Sequence, residues 1–310
     1  MKCVVVGGGG FIGSHLSESL LHLQYEVTIL DRSGATYLEM LSQKGANVVT
    51  GSMLEQSDLQ NTLSGADILF HLASTTVPKS SIDDPVFDVQ TNLVGTINLL
   101  NVAKDMGVKK VIFASSGGTV YGIPRVIPIT ETHPTDPISS YGIIKLTIEK
   151  YLALYKTLYG LDYCVLRVSN AYGERQPVTG AQGVIPAFIY RALQKLDIRI
   201  WGDGSAIRDY IHVTDIVSAF LSVIDHKGEP MTFNIGSGTG HSINEIVKTL
   251  EEEMEEPLEL VYEPSRPYDV PVNILDNSLA KQVLGWEPKV NLRNGIRQTL
   301  DYMRAQQGHP

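Results

Sequence analysis

Short apolar runs alternate with segments of helical periodicity through the first half of the chain. The apolar runs predict strands at Lys2–Val6, Glu26–Leu30, Asn47–Thr50, Asp67–His71, Lys110–Ala114 and Asp162–Val168. Helical patterns lie between them, among others at Phe11–Leu23, Pro85–Met106 and Ser139–Tyr159. The strand runs are rich in Val, Ile and Leu without polar alternation, which is typical of strands buried on both faces of a parallel sheet. We therefore predict an α/β fold with a Rossmann-type, doubly wound parallel sheet.

The rhythm changes after about Asn170, where segments become shorter and richer in Gly and Pro. Examples are "GERQPVTGAQGVIP", "WGDGSAIRDY" and "EPSRPYDVP". Such segments suit a smaller lobe over the edge of the sheet. We expect a first domain over residues 1–169, completed by segments near 212–236, and a smaller C-terminal lobe formed mainly by residues 170–310.

Composition and charge remove several classes of function. The 310 residues carry a formal net charge of −9, whereas nucleic acids and anionic membranes require a basic surface. No run approaches about 18 uninterrupted apolar residues, and the first residues enter a strand without a cleavable leader. Cys3 and Cys164 lie in apolar runs and are expected to be reduced core residues, which favours the cytoplasm. No metal site is expected.

The stretch "CVVVGGGGFIGSHL" places Gly7, Gly10 and Gly13 in G-x-x-G-x-x-G spacing between a strand and a helix. The first two glycines permit a tight turn and let backbone N–H groups approach a pyrophosphate. The third lets the helix pack against the strand, with its N-terminus towards the anion. The position in the chain favours a dinucleotide site over a merely tight turn.

Asp31 ends the next strand, 18 residues after Gly13. A carboxylate at this position can accept hydrogen bonds from an adenosine ribose, and it would repel a 2′-phosphate. NAD is therefore favoured over NADP. Arg32 is the one dissenting feature, because an arginine can hold that phosphate.

Tyr141 and Lys145 lie one helical turn apart in "SSYGIIKLTIEKYL" and project from one side of a helix. A tyrosine has a reference pKa near 10, so that a phenolate near neutrality needs a pKa lower by roughly 3 units. A lysine one turn away, together with a positively charged nicotinamide, could supply that shift. The alternative is a surface pair, but of the 14 tyrosines only Tyr141 has Lys at i+4. We predict that Tyr141 is catalytic.

These features resemble those of the extended short-chain dehydrogenases/reductases, in the branch of NAD-dependent nucleotide-sugar epimerases and dehydratases. The resemblance runs from Met1 to about Tyr302. Its motifs, in order, are "GGGGFIG", "ILFHLAS", "TNLVGTINLL", "SSGGTVYG", "YGIIK", "LRVSNAYG", "IWGDGSAIRDYIHVTD", "SRPYDV" and "LGWEP". So many ordered motifs are specific to the family, though less so to one substrate.

The resemblance implies a role for each matching position of the cofactor site. Tyr141 is the acid/base, and Lys145 holds the nicotinamide ribose and lowers the pKa of the tyrosine. Asn92 helps to shape the site. The other implied cofactor contacts are Phe11, Ile12, Ser52, Met53, Leu72, Ala73 and Ser74, of which the last three line the nicotinamide side.

The resemblance also implies contacts to a nucleoside diphosphate sugar. Arginines pair well with a diphosphate, and a carboxylate can accept from ribose hydroxyls. The implied substrate residues are Thr76, Ser116, Gly117, Asn170, Val184, Trp201, Arg208, Arg266, Asp269 and Asn273, with Trp201 over the pyrimidine. Ser52 departs from the family, which often has an acid there to accept from the adenine amino group; that contact is in doubt.

The loop "SSGGTVYG" discriminates between reactions. The family hydroxyl that helps to bind the sugar 4-oxygen falls at Gly117. The acids that sugar dehydratases and uronate decarboxylases use fall at Gly118 and Thr119, which cannot act as an acid/base pair. Ser116 is our candidate for the missing hydroxyl, with Thr119 second.

We therefore expect the NAD-dependent 4-epimerisation of a UDP-sugar of the UDP-glucose/UDP-galactose type, through a transient 4-keto intermediate. Asn273 is smaller than a tyrosine, so an N-acetyl group at C2 could be admitted, although a packing role is equally open. A UDP-uronic acid is also open, because Arg175 or Thr179 could face a C6 carboxylate.

Three further alternatives remain open: a nucleotide-sugar dehydratase, a net reductase, and an NAD-binding sensor that has lost its chemistry. The retained Tyr141, Lys145 and diphosphate residues argue against the sensor. The predicted helices at Pro85–Met106 and Ser139–Tyr159 resemble those through which the family dimerises by a four-helix bundle, so a homodimer is expected.

Overall fold

A computed structural model describes residues 1–178, 183–265 and 270–307. The strands are β1 Lys2–Val6, β2 Glu26–Asp31, β3 Asn47–Thr50, β4 Ile68–His71, β5 Lys110–Ser116, β6 Asp162–Val168, β7 Asn170–Tyr172, β8 Ile198–Trp201, β9 Ile207–His212, β10 Thr232–Ile235, β11 Gly240–Ser242, β12 Leu260–Glu263 and β13 Val272–Asn273. The helices are α1 Phe11–His22, α2 Leu38–Gln43, α3 Gln56–Leu63, α4 Pro78–Asp83, α5 Pro85–Asp88, α6 Gly95–Asp105, α7 Ser140–Tyr159, α8 Val184–Leu193, α9 Val213–Ser222, α10 Ile243–Met254, α11 Ser278–Leu284 and α12 Leu292–Gln307.

A seven-stranded sheet has the order β10-β6-β5-β4-β1-β2-β3. The pairs β1–β2, β1–β4, β2–β3 and β4–β5 are all parallel. Strands β1 and β4 are almost completely buried, as their unbroken apolar runs require in a sheet covered on both faces. The prediction of a Rossmann-type α/β fold is confirmed, and all six predicted strands are present with ends within two residues of those expected.

The predicted helix Pro85–Met106 is interrupted. Between α5 and α6 the chain forms a π-helical segment, Val89–Val94. Its wider turn adds a residue to the helical repeat and displaces the side chains that follow it; such segments are frequent at functional sites. Apolar periodicity does not reveal a single wide turn, so the sequence predicted an uninterrupted helix.

The chain divides into two compact units. The first comprises Met1–Gly122, Pro134–Arg167 and Val217–Phe233; the second comprises Ile123–His133, Val168–Ile216 and Asn234–Pro310. The assignment of residues 1–169 to a cofactor domain and of 170–310 to a substrate lobe stays a prediction. Cys3 and Cys164 are buried and form no disulfide. In the described part of the chain, no helix has the length and apolar character needed to cross a membrane.

Each unit has its own core. Helices α3, α6 and α7 of the first unit pack on its sheet through residues such as Leu59, Leu99, Leu100, Ile148 and Leu152. In the second unit, α8, α10 and α12 bury a separate cluster, which includes Ile185, Ile189, Leu250, Ile296 and Leu300. Strand β9 of this unit pairs with β7, β11 and β13.

Candidate active site

The glycine turn between β1 and α1 is closed by contacts of backbone with backbone. Gly7 has φ +85°, and a Cβ there would lie 2.6 Å from the nitrogen of Ala73. A Cβ on Gly13 would lie 2.1 Å from the carbonyl oxygen of Gly7. Gly10 precedes α1 and is exposed, and it has no side chain to cap the helix, so the first N–H groups of the helix remain open. The turn therefore has the close backbone approach and the open helix N-terminus that a pyrophosphate site requires. The neighbouring Phe11 and Ile12 begin the helix, both half-buried.

Asp31 is fixed at the end of β2. One carboxylate oxygen accepts from the backbone nitrogen of Gly9 at 2.9 Å, and the other accepts from the nitrogen of Arg32 at 2.8 Å. Each oxygen keeps lone pairs for a further donor. The Arg32 side chain is exposed. The carboxylate thus stands beside the glycine turn, where ribose hydroxyls could reach it.

Ser52 and Met53 follow β3. The Ser52 hydroxyl accepts from the nitrogen of Leu54 at 3.1 Å, and its backbone nitrogen donates to the Asp58 carboxylate at 2.9 Å. Met53 is buried and lies against Gly95. Sequence reasoning missed Asp58, which lies in the first turn of α3 six residues after Ser52.

The loop after β4 carries three of the predicted cofactor contacts, Leu72, Ala73 and Ser74. The nitrogens of Leu72 and Ala73 both donate to Val6 O at 2.9 Å, and the Ser74 hydroxyl donates to the carbonyl of Thr76 at 3.0 Å. These bonds hold the loop beside the glycine turn.

The buried residues Thr76 and Asn92 are bound to a carboxylate that sequence reasoning missed. Thr76 Oγ1 donates its proton to Asp88 Oδ1 at 2.8 Å, and Asn92 Nδ2 donates both to Asp88 Oδ1 at 2.8 Å and to Thr76 Oγ1 at 3.0 Å. Asn92 Oδ1 accepts from the nitrogen of Thr75 at 2.9 Å. Both protons of the Asn92 amide and the one hydroxyl proton of Thr76 are committed. Thr76 can therefore only accept from a ligand in this arrangement, and Asn92 shapes the site chiefly through its neighbours.

Tyr141 and Lys145 stand on α7, which begins after Ser139, whose hydroxyl accepts from the nitrogen of Gly142. Lys145 is buried; its Nζ donates to the carbonyl of Ala114 at 2.9 Å and lies 5.5 Å from the centre of the Tyr141 ring. Phe113 lies under the same ammonium at 4.8 Å. A small cavity is lined by Ala73, Ser74, Asp88, Asn92, Tyr141, Ile144, Lys145 and Ile148. The fold thus brings the two predicted catalytic side chains together with Ala73, Ser74 and Asn92, all predicted for the cofactor site.

Burial dominates the protonation of this pair. It raises the pKa of Tyr141 to about 12, and the Asp88 carboxylate adds to the rise. Burial lowers the pKa of Lys145 to about 8, while Asp88 and Glu149 act in the opposite direction. Lys145 by itself therefore does not make Tyr141 a base. A phenolate near neutral pH requires a positive charge beyond those the chain supplies.

The loop after β5 separates its two serines. Ser115 Oγ donates to the buried Glu149 carboxylate at 2.5 Å, whereas Ser116 is half-buried and its hydroxyl has no hydrogen-bond partner among the described residues. Thr119 Oγ1 is buried, also without a partner in that part of the chain. The Thr119 carbonyl would lie 2.8 Å from a Cβ on Gly142, so the loop packs directly on the residue after Tyr141. Ser116 is thus the hydroxyl more open to a ligand.

The second unit positions several predicted substrate residues on one sheet. Asn170 Nδ2 donates to the carbonyl of Asp209 at 3.0 Å, and Arg208 Nη1 donates to that of Ile207 at 2.9 Å. Asn273 pairs with Arg208 across β13 and β9, and its side chain is buried. Strands β7, β9 and β13 therefore bring Asn170, Arg208 and Asn273 together.

Other predicted substrate residues lie elsewhere in that unit or beyond the described residues. Trp201 ends β8 and is 45% exposed, and Val184 begins α8. Arg175 has φ +66°. Arg266 and Asp269, together with Thr179, lie outside the described residues. The described residues contain no group of three or more His, Cys, Asp or Glu side chains that could hold a metal ion.

Known proteins resemble the chain over nearly its whole length. The model of the NAD dependent epimerase/dehydratase family matches residues 3–236. A UDP-glucose 4-epimerase of Mycolicibacterium smegmatis is 37% identical over 309 residues, covering 98% of this chain and 99% of that protein. A crystal structure of UDP-glucose 4-epimerase with UDP-glucose from Thermotoga maritima has a TM-score of 0.95 and 39% identity, covering 99% of this chain and 100% of that one. A Thermus thermophilus UDP-glucose 4-epimerase in complex with NAD has a TM-score of 0.92 and 34% identity, with 98% and 99% of the two chains covered.

Proposed function

The chain belongs to the NAD-dependent epimerase/dehydratase family, and from this premise we infer that it is an NAD-dependent UDP-sugar 4-epimerase of the UDP-glucose/UDP-galactose type. One observation carries the choice within the family. Tyr141 and Lys145 share a cavity, whereas the loop over Ser115–Gly122 has no acidic side chain beside them. Oxidation at C4 and reduction from the other face need one acid/base residue, while elimination and decarboxylation use further acids.

NAD fits the residues of the first unit. Side chains at Gly7 and Gly13 would clash with the backbone of the turn and of the loop after β4, so these glycines keep the tight turn that leaves the helix N-terminus open to a pyrophosphate. Asp31 is held with free lone pairs for ribose hydroxyls. Phe11, Ile12, Ser52, Met53 and Leu72 complete the proposed cofactor positions. Bound NAD supplies a hydride acceptor that carries a positive charge.

Tyr141 is proposed to take the proton of the sugar 4-hydroxyl and to return it after the 4-keto sugar has turned over. The chain alone keeps this tyrosine protonated at neutral pH, since burial and Asp88 both raise its pKa. Lys145 remains largely protonated at pH 7 and stabilises a phenolate at Tyr141. Proton transfer is thus confined to the state in which a further cation is present. Ser116 is proposed to bind the sugar 4-oxygen.

The nucleotide part of the substrate is proposed to bind through the second unit. Asn170, Arg208 and Asn273 lie on neighbouring strands, so that one ligand could contact all three. Arg266 and Asp269 are proposed to join them at the diphosphate and ribose, with Trp201 on the pyrimidine. Asn273 would then set the room left at C2 of the sugar.

A homodimer is proposed through the outer faces of α5, the π-helical segment and α7. These faces expose apolar side chains that a monomer would leave in water: Val86, Phe87, Val89, Val94, Ile143, Leu154 and Leu158. Ile143, Leu154 and Leu158 recur at helical spacing on one side of α7. A second copy would bury them in a four-helix bundle, and light scattering should give twice the mass of 34.0 kDa.

The compartment proposed is the cytoplasm, in agreement with the two unpaired cysteines.

The deciding experiment incubates the purified protein with NAD and UDP-galactose and separates the products by chromatography. We expect UDP-glucose, without net consumption of NAD, and a loss of at least about 100-fold in kcat for Tyr141→Phe. A 4-keto-6-deoxy product would indicate a dehydratase, and stoichiometric oxidation of NADPH would indicate a reductase. UDP-N-acetylglucosamine and UDP-glucuronic acid, run in parallel, identify the preferred sugar.

A further inference from the structure

Asp88 is completely buried at the end of α5 and joins three separate parts of the first unit. Its Oδ1 accepts from Thr76 in the loop after β4 and from Asn92 in the π-helical segment. Its Oδ2 accepts from Ser140 Oγ, in the first turn of α7, at 2.7 Å. Ser140 directly precedes Tyr141. One carboxylate therefore fixes the segments that carry two predicted ligand contacts and the acid/base residue.

Only neutral donors bind this carboxylate. Among the described residues no cation lies within ion-pair distance of Asp88, while Lys145 faces the same cavity. The carboxylate and the first turn of α7 also attract each other, because the N-terminal end of a 20-residue helix carries partial positive charge. A buried charge held in this way acts over several ångströms, since little water screens it.

We propose that Asp88 is the positioning residue of this active site and that its charge sets the pH range in which Tyr141 and Lys145 work. The proposal rests on the epimerase function proposed above. It assigns to Asp88 no contact with substrate, and it places no proton transfer on it.

Other charged groups near the pair are paired or lie at a distance. Glu149, one turn beyond Lys145, is bound to Arg167 at 2.6 Å. His71 is buried, and burial lowers its pKa to about 3, with Lys145 adding to the effect, so it stays neutral. On the neighbouring helices, Lys79, Asp83 and Asp84 are exposed to water. Lys104 of α6 forms an ion pair with Asp105. Lys110 of β5 donates to the carbonyl oxygens of Val223 and His226. Asp88 is the charge left to act on both reactive groups.

The direction of its effect follows from its sign. A nearby negative charge disfavours a phenolate and favours an ammonium, so it raises the pKa of both groups. Activity needs Tyr141 able to lose its proton and Lys145 able to keep one. Removing the charge should therefore move both limbs of the pH–activity curve to lower pH, as apparent pKa values of the coupled pair.

The test is the pH dependence of kcat/KM for Asp88→Asn, a change that removes the charge and nearly preserves the shape. We expect both limbs to move by about one pH unit towards acid, because a buried charge that lines the same small cavity is weakly screened and a neighbouring charge shifts a pKa by about one unit or more. A lower curve with unmoved limbs would overturn the proposal and leave Asp88 a purely structural role. If Asp88→Asn does not fold, the same pH dependence is measured for Asp88→Ser, which also removes the charge and has a smaller side chain.

A second measurement separates this proposal from the proposed function. The tyrosinate absorbance of the wild type minus that of Tyr141→Phe, both measured with NAD present, gives the titration of Tyr141 alone among the 14 tyrosines. The same difference in the Asp88→Asn background should titrate at lower pH; an unchanged midpoint would overturn the proposal even if no sugar is turned over.

Asp215→Asn is the matched control, since Asp215 is also buried and accepts from the nitrogens of Lys289 and Val290 in the second unit. It should leave both limbs in place, and a shift like that of Asp88→Asn would contradict the assignment.

Discussion

Two glycine-containing loops of the first unit, 7–13 and 115–122, differ in which of their glycines the backbone requires. In the first, glycine is required by space: Cβ atoms at Gly7 and Gly13 would meet backbone atoms at 2.6 and 2.1 Å. In the second, a Cβ at Gly118 would meet only Ser116 Oγ, at 3.9 Å, and its φ is not in the left-handed region. Space does not require glycine at Gly118.

The second loop is closed by backbone hydrogen bonds from the nitrogens of Thr119 and Val120 to the carbonyl of Ser116, and buried side chains anchor it as well. The Ser115 hydroxyl donates to the Glu149 carboxylate. The Arg167 guanidinium donates both to that carboxylate, at 2.6 Å, and to the Tyr121 hydroxyl, at 2.9 Å. All four side chains are buried. At Gly7 and Gly13 the backbone leaves no room for a side chain. At Gly118 the second loop leaves room for a side chain, and this is a position at which the family resemblance predicts an acid in dehydratases and decarboxylases. Gly7 and Gly13 are therefore required by folding, and so is Gly122, where φ is +66° and a Cβ would meet the backbone carbonyl of Asp136. Folding places no such requirement on Gly118.

The largest effect should come from breaking the ion pair under the second loop. Glu149→Gln leaves the Arg167 guanidinium buried without its counter-charge, so the free energy of unfolding should fall by about 3–5 kcal/mol in urea denaturation. Asp162→Asn, which breaks the exposed pair with Lys156, serves as the control and should cost less than about 1 kcal/mol. Equal costs for the two variants would contradict this account.

Gly13→Ala should have the next largest effect. The new methyl group must displace the Gly7 carbonyl, which should lower the free energy of unfolding by about 2–3 kcal/mol and abolish tight NAD binding in calorimetry. At Gly10 the nearest atom to a Cβ is 3.4 Å away, so Gly10→Ala should change stability by less than about 0.5 kcal/mol. Wild-type stability of Gly13→Ala would show that the turn adapts and is not closed by its backbone.

Ser116→Ala tests the chemistry of the second loop. If its hydroxyl binds the sugar 4-oxygen, kcat should fall about tenfold, the value of one hydrogen bond of roughly 1.4 kcal/mol, with unchanged urea stability. Thr119→Val removes a buried hydroxyl that has no partner among the described residues, and it should keep nearly full kcat. The reverse result would transfer the role to Thr119.

Gly118→Ala should have the smallest effect. The added methyl group enters open space, so the free energy of unfolding should change by less than about 0.5 kcal/mol. Gly142→Ala, where a Cβ would meet the Thr119 carbonyl at 2.8 Å, should be clearly less stable. A melt that ranks these two variants in the opposite order would refute the steric distinction.

Local patterns predicted what is local. The strands, the glycine spacing, Asp31 and the one-turn separation of Tyr141 and Lys145 depend on residues close in sequence, and the fold places each where its pattern implied. The orientation of Ser115 and Ser116 to opposite faces of the sheet also follows from the alternation of a strand, since β5 extends to Ser116. The π-helical segment was not predictable in this way, because one wide turn leaves the apolar pattern nearly unchanged.

The sequence by itself determined the α/β fold and the family and indicated Tyr141 and Lys145 as the candidate reactive pair, because periodicity and motif spacing are written along the chain. Only the tertiary structure decided what surrounds that pair. Asp88 meets Ser140 from 52 positions away, and Glu149 meets Ser115 from 34, so no local pattern connects them. Burial, which raises the pKa of Tyr141 and lowers that of Lys145, likewise exists only once distant segments have packed and excluded water.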